Sequence, residues 1–338
     1  MQQLTFVRRG KLEWREVPEP VLEGGQDAIV RPLIAARCDL DFFVVMGMFP
    51  IFEGPFPIGH EFVGEIVGLG ADVENFTVGQ KVVVPCNINC GTCGRCDHGF
   101  TARCTTSGEG SYGIPENFGG GYGGALSDLV RVPFADSMLV AVPDGVDPAD
   151  VASLGDNIAD GYRTVAPYLK ADPNQAVLVV GGVAVGLYAA AIARALGSPR
   201  VDYMDTSPVG LELAEKAGVN VIDRPLGESV HDHYPITVDA SGRVPGLDYA
   251  IRALDAGGVC TTASMHFTND VPIPFKEMYM QDAVLKVGKT HARREMDAAL
   301  ELVRNGSFDP GLFNTKTIDW TDAAKGYRER TTKLLVRR

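Results

Sequence analysis

Residues 177–186 read Val177-Leu178-Val179-Val180-Gly181-Gly182-Val183-Ala184-Val185-Gly186, and an alanine-rich apolar run follows from Leu187 to Leu196. No charged residue occurs from Ala176 to Ala193, a length approaching that of a membrane span. The Gly181-Gly182 pair interrupts it after four strand-forming residues. A short β-branched run, a glycine turn and an alanine-rich helix describe a buried strand–turn–helix, not one long helix. The segments downstream keep the alternation. Arg200 to Met204 reads as a strand, Val209 to Ala217 as a helix ended by Gly218, and Val219 to Ile222 as a third strand. Ile236 to Val238, Gly258 to Thr262 and Val284 to Val287 supply further strands. Strands alternating with helices specify a doubly wound parallel sheet.

The turn at 181–186 has a chemical use. A dinucleotide site needs glycines for the tight turn, for backbone approach to the pyrophosphate and for helix–strand packing, with free N–H groups at the helix start facing the anion. Gly181 and Gly186 hold the first and third glycine positions of G-x-G-x-x-G, Gly182, Ala184 and Val185 the intervening ones, and Val183 replaces the second glycine. Asp205 ends the next strand, at the right distance to accept from an adenosine ribose 2′-OH. No lysine or arginine follows in Thr206 to Val209, so a 2′-phosphate would meet an uncompensated carboxylate and NAD is expected over NADP. Asp205 could instead cap the following helix; the strand–turn–helix–strand around it favours ribose.

Residues 1 to about 85 are of another kind. Ala28 to Ile34, Glu61 to Gly68 and Lys81 to Val84 read as short strands punctuated by glycine turns, the pattern of a partly open barrel. The composition changes at Asp147-Pro148, where alanine-rich helical patterns begin. At 338 residues the chain is long enough for two cores, and its net charge of −12 argues against a nucleic-acid surface. No basic start followed by an apolar stretch and a cleavage site opens the chain, so a soluble, cytoplasmic protein without a membrane span is expected.

Four of the seven cysteines lie in Cys90-Gly-Thr-Cys93-Gly-Arg-Cys96-Asp-His-Gly-Phe-Thr-Ala-Arg-Cys104. The odd total and the clustering point to metal rather than disulfides. Four thiolates fill a tetrahedral shell, so the role is structural; zinc is favoured, with an iron–sulfur cluster as the rival. Cys86 lies just outside. A second metal is suggested by Cys38 and by His60 in Gly59-His60-Glu61, a sulfur and a nitrogen that make a zinc-like pair inside an apolar strand. Taken alone, His60 could equally be a satisfied core histidine.

In order, Cys38, Gly59-His60-Glu61, the four-cysteine loop, the glycine turn and Asp205 make the chain similar to the zinc-dependent medium-chain alcohol dehydrogenases over nearly its whole length. Leu154-Gly155-Asp156-Asn157-Ile158 resembles the branch with formaldehyde and threonine dehydrogenase-like members. The resemblance implies an α/β chain with a GroES-like β-barrel catalytic domain and a Rossmann domain. Residues 1–148 would form the first, 149–290 the NAD-binding domain, and 291–338 a segment returning to the catalytic domain. It implies Cys38, His60 and Asp156 as ligands of a catalytic Zn2+, Glu61 beside the metal or briefly on it, and Asp41 orienting His60. It also implies a structural Zn2+ on Cys90, Cys93, Cys96 and Cys104, NAD, an alcohol or carbonyl substrate, and a homodimer or homotetramer. The expected chemistry is Lewis-acid-assisted hydride transfer.

One departure stands out. The family's proton-relay hydroxyl falls at Leu40, and in an extended Cys38-Asp39-Leu40-Asp41 the Asp39 side chain would point to the opposite face. A non-catalytic NAD-binding sensor or scaffold is the alternative reading. Phe42, Phe43, Phe49, Phe52 and Phe56 suggest an apolar substrate pocket or ordinary core packing.

Overall fold

The computed structural model describes residues 1–49, 51–226, 229–268 and 270–338. The chain forms two compact units. Met1–Asp156, His291–Arg304 and Asn314–Arg338 make the first; Asn157–Thr290 and Asn305–Phe313 make the second.

The first unit begins with β1 (Gln2–Arg8), β2 (Lys11–Glu16), β3 (Ala28–Arg37), β4 (Phe56–Pro57), β5 (Glu61–Leu69), β6 (Lys81–Val84), β7 (Val130–Val132) and β8 (Val140–Ala141). The second unit carries β9 (Val177–Val180), β10 (Val201–Asp205), β11 (Asn220–Asp223), β12 (Tyr234–Asp239), β13 (Leu254–Thr262) and β14 (Val284–Lys286). The chain then adds β15 (Lys316–Asp319) and β16 (Leu334–Arg337) to the first unit.

Among the described residues, the first unit's main sheet runs β15-β16-β3-β5-β6-β8 with β7 also on β3, beside a small β2-β1-β4 sheet. Their inner faces bury Leu4, Phe6, Val30, Phe62, Ile66, Val82 and Val84 around Tyr112. Register decides what meets at one end of this sheet. Ala36 of β3 lies opposite Glu61 of β5, Arg37 opposite Leu334 of β16, and Phe62 opposite Val84 of β6. Continuing those antiparallel pairings past the strand ends brings Cys38, His60, Lys333 and Cys86 to one place. The C-terminal turn is tied there by Arg37, whose guanidinium donates to the carbonyl oxygens of Gly326, Glu329 and Thr331.

In the second unit, β9 is buried at every residue, as an inner parallel strand covered on both faces must be. Every described pairing in this sheet is parallel, and its order is β11-β10-β9-β12-β13-β14. The chain winds outward from β9 to β11, crosses back to β12 and winds the other way. The order therefore reverses between β9 and β12, the place where open α/β sheets bind ligands. The uncharged stretch from Ala176 is β9, a turn and the helix Val185–Ala195. Among the described residues, no helix is long and apolar enough to cross a membrane.

Two local expectations change. His60 is not inside a strand: it precedes β5 and follows Gly59, whose φ of 91° suits glycine alone. The segment after Cys38 is not extended either; Asp39–Val45 is helical. Asp41, in its first turn, accepts from the Cys38 amide at 3.3 Å, so the carboxylate caps the helix start and starts the turn.

Candidate metal centre and nucleotide turn

Cys38, His60, Glu61 and Asp156 each bring one ligand atom to within 4.8 Å of all the others. Each arrives by a different device. Cys38 follows β3 and opens the helix Asp39–Val45. His60 stands on Gly59, where the glycine loop 119–124 packs: the Ala125 amide donates to Gly59 O at 2.8 Å, and a Cβ on Gly124 would lie 2.6 Å from Ile58 O. That loop serves packing. Asp156 sits in the π-turn Leu154–Ile158. The turn approaches β6 because residue 155 is glycine; a Cβ there would meet Val84 O at 2.3 Å, and Gly155 O accepts from the Cys86 amide at 2.9 Å.

The histidine is oriented as a metal ligand would be. Asp41 Oδ1 lies 3.3 Å from His60 Nδ1, which leaves Nε2 facing the other donors, 3.4 Å from Asp156 Oδ2. Burial alone would lower its pKa, but Asp41 and Asp156 hold the ring protonated well above its usual range. Burial pushes the Cys38 thiol up to about 11. Burial also works against the Asp156 carboxylate, yet hydrogen bonding and charge from His60 keep it below the ordinary value. Three acidic donors and an imidazole gathered out of water favour a cation, and a metal takes over the proton's place among them.

Lys333 completes the arrangement and was not singled out in the sequence. Its Nζ donates to Glu61 Oε1 at 3.1 Å and Oε2 at 2.9 Å, and both residues are almost wholly buried. Burial raises Glu61 to about 7, with Lys333 the largest opposing influence. Because Lys333 balances Glu61, Cys38 and Asp156 would supply two negative charges once a bound metal displaced the thiol proton, the match for a divalent ion. Cys86 was also read as lying outside any site. Its thiol lies 3.5 Å from Asp156 Oδ1, the carboxylate oxygen that does not face His60, and 3.3 Å from Asn87 Oδ1. The sequence signal for Lys333 was only its place in a basic tail; the strand pairing of β16 makes it specific.

The second group is Cys90, Cys93, Cys96 and Cys104, whose sulfurs also lie within 4.8 Å of one another without a disulfide. Sulfurs at 2.3 Å from one tetrahedral ion stand about 3.8 Å apart; Cys93 and Cys104 are separated by 4.0 Å. That spacing leaves room for one ion and not for a cluster of several. Hydrogen bonds from the Cys96 amide and Thr105 bring Cys93 down to about 5, the direction a thiolate ligand needs.

The phenylalanines resolve toward packing. Phe49 and Phe56 are core residues, and Phe52 packs edge-on against both. Phe42 lies under the Arg37 guanidinium, 5.1 Å from ring centroid to Cζ, and Phe43 packs against the core.

In the second unit, the turn between β9 and Val185–Ala195 is as tight as its glycines imply. Gly181 and Gly182 have φ of 70° and 81°. A Cβ on Gly182 would lie 2.6 Å from Ala240 Cβ, and one on Gly186 2.0 Å from Gly181 O. The departure at Val183 is accommodated by another glycine: Val183 Cγ1 lies 3.2 Å from the Cβ position of Gly210, so its methyl group occupies space that a side chain on the next helix would need. Asp205 Oδ1 accepts from the Thr206 and Ser207 amides, and Oδ2 accepts from Tyr203 OH at 2.9 Å. Ser207, not Asp205, caps the helix Pro208–Lys216. The carboxylate stays half-exposed at the end of β10.

Residues 24–144 match the alcohol dehydrogenase GroES-like domain. A probable zinc-binding alcohol dehydrogenase of Mycobacterium tuberculosis is 30% identical over 97% of this chain and 84% of its own length. A glutathione-independent formaldehyde dehydrogenase of Pseudomonas aeruginosa is 31% identical over 74% of this chain and 64% of its own. The solved structure of alcohol dehydrogenase TADH from Thermus sp. ATN1 superposes with a TM-score of 0.90 at 27% identity, covering 100% of this chain and 99% of that one.

Proposed function

Because this chain belongs to the zinc-binding alcohol dehydrogenase family, we propose that it interconverts an alcohol and an aldehyde or ketone by hydride transfer to and from NAD. The observation that carries the proposal is the clustered, largely buried donor group Cys38, His60, Glu61 and Asp156, with charge and geometry suited to one divalent ion. Cys38, His60 and Asp156 would hold the catalytic zinc, and Cys90, Cys93, Cys96 and Cys104 the structural one. When bound, the catalytic zinc supplies a Lewis acid toward the substrate oxygen, and NAD supplies the hydride acceptor.

The chain's own residues then have separate tasks. Asp41 fixes the His60 ring through Nδ1, Cys86 packs its thiol against Asp156, and Lys333 opposes the burial that disfavours the Glu61 carboxylate. Leu40 can neither give nor take a proton, so proton exit falls to water or to a hydroxyl of the substrate or cofactor. A panel of alcohols assayed with NAD, by absorbance of the reduced cofactor, tests the reading; a zinc-replete protein that reduces NAD with none of them would favour the sensor or scaffold.

Gly181, Gly182, Val183, Val185 and Gly186 would cradle the pyrophosphate, with Asp205 on the adenosine ribose. A hydrogen bond to a charged group contributes about 1.5–3 kcal/mol, so Asp205→Ser is expected to raise the KM for NAD by about ten- to a hundredfold. It should leave that for NADP unchanged or lower. Equal efficiency with NAD and NADP in the unaltered protein would count against this role.

The outer strand of the second unit's sheet supports a homo-oligomer, dimer or tetramer. Near β14, whose outer edge is unpaired among the described residues, the apolar side chains Tyr279, Met280 and Val287 are each more than 70% exposed. Sedimentation should give at least a dimer, and Val287→Lys should shift it toward monomer. A monomeric unaltered protein at micromolar concentration would remove the proposal. Seven cysteines without a disulfide suit the reducing cytoplasm, where cell fractionation should find the protein.

A further inference from the structure

Past the switch point, the ends of β12 and β13 carry a polar arrangement that the metal and glycine-turn chemistry leaves unused. Asp239 ends β12 and is fully buried. Its Oδ1 accepts from the Ser241 amide at 3.0 Å and from Ser241 Oγ at 2.6 Å; its Oδ2 lies 3.0 Å from His266 Nε2. No lysine or arginine pairs with it among the described residues. The loop that carries His266 is fixed to β12 as well, by the Ala263 amide on Asp239 O at 2.8 Å and Ser264 Oγ on Ala240 O at 2.7 Å.

A carboxylate only accepts, so Nε2 of His266 donates in this bond, and in that tautomer of the imidazole Nδ1 is an acceptor. Among the described residues, Nδ1 has no hydrogen-bond partner. The ring is mostly buried, with 11% of the side chain exposed. A buried carboxylate used to fix the tautomer and direction of a ring whose other nitrogen is left open is the arrangement of a ligand-reading histidine.

Its position says which ligand. The network abuts the glycine turn: Ser241 Cα and Cβ lie 3.0 Å from the Cβ position of Gly181, and Ala240 Cβ lies 2.6 Å from that of Gly182. A dinucleotide lies across the crevice where strand order reverses. With its adenosine on the β10 side at Asp205 and its pyrophosphate on the turn, its other half extends over the ends of β12 and β13. We infer that His266, held by Asp239, binds the nicotinamide nucleoside of the cofactor, accepting at Nδ1 from a ribose hydroxyl or the carboxamide N–H. This inference rests on the dinucleotide reading of the second unit.

The test is ligand binding, which needs no turnover. The zinc-loaded protein is titrated with NADH and with ADP, which lacks the whole nicotinamide nucleoside, following fluorescence. In His266→Ala the Kd for NADH should rise about three- to tenfold, the worth of one neutral hydrogen bond, while that for ADP stays within about twofold. His266→Asn, which keeps a side-chain acceptor and guards against a packing defect in the alanine variant, should lose less. Asp239→Asn should weaken NADH in the same selective way if it folds. Unchanged NADH affinity in both His266 variants, or an equal loss for both ligands, would overturn the inference. If the unaltered protein bound neither ligand, the dinucleotide reading itself would fall, and this one with it.

Discussion

His60→Ala should abolish alcohol oxidation and remove one of the two zinc ions while the fold persists. The imidazole joins a half-buried thiol and two carboxylates, and Asp41 holds it in direction at 3.3 Å. Lewis-acid stabilisation is worth several kcal/mol, so turnover should fall by about a thousandfold or more. Its loss should not unfold the chain. His60 stands in a turn before β5, and the pairing of β5 with β3 and β6 does not use its side chain. Asp41→Asn is the graded version: removing a partner of a liganding histidine usually costs about 10–100-fold in metal affinity or activity. The measurements are turnover, zinc per chain by elemental analysis, and far-UV circular dichroism. Near-normal activity in His60→Ala, or a zinc content unchanged from the parent, would show that the ion binds elsewhere.

Lys333→Met should be the most destabilising single change at this centre. Lys333 and Glu61 are 1% and 0% exposed, and both carboxylate oxygens receive bonds from the one ammonium group. Breaking a buried pair by removing one partner costs about 3–5 kcal/mol, because an uncompensated charge stays out of water. Replacing both partners with apolar groups of similar volume is often neutral. The double variant Glu61→Met/Lys333→Met should therefore be more stable than Lys333→Met alone. Urea unfolding of the parent, both single variants and the double variant closes the cycle. If the two single losses simply add, the residues are not coupled and the pair does not act as a unit. Activity separates a second question: a double variant that is stable but slow would assign Glu61 a part in the reaction beyond folding.

Much of this protein was legible because its chemistry is written in local patterns. The four cysteines of residues 90–104 lie within fourteen positions of one another, so spacing alone limits what they can do, and the structure gathers their sulfurs. Val177–Gly186 and Asp205 declare a strand, a turn and a second strand through side-chain type and glycine freedom, with no distant partner needed. The doubly wound sheet followed from repeating that pattern.

What the sequence could not settle depends on contacts between residues far apart in the chain. Cys38 and His60 were suggestive alone, but Asp156 entered only by resemblance; its approach requires a glycine beside the β6 carbonyl of Val84. Lys333 was one cation in a basic tail until β16 paired with β3 and placed it on Glu61, 272 residues away. Cys86, left outside any site by spacing, reached Asp156 through strand register. His266 acquired a role only when β13 ended beside β12. The physical reason is the same in each case. A buried charge is tolerated only when a partner of the right sign or hydrogen-bonding capacity is delivered to it, and sheet register, which no local pattern encodes, does the delivering.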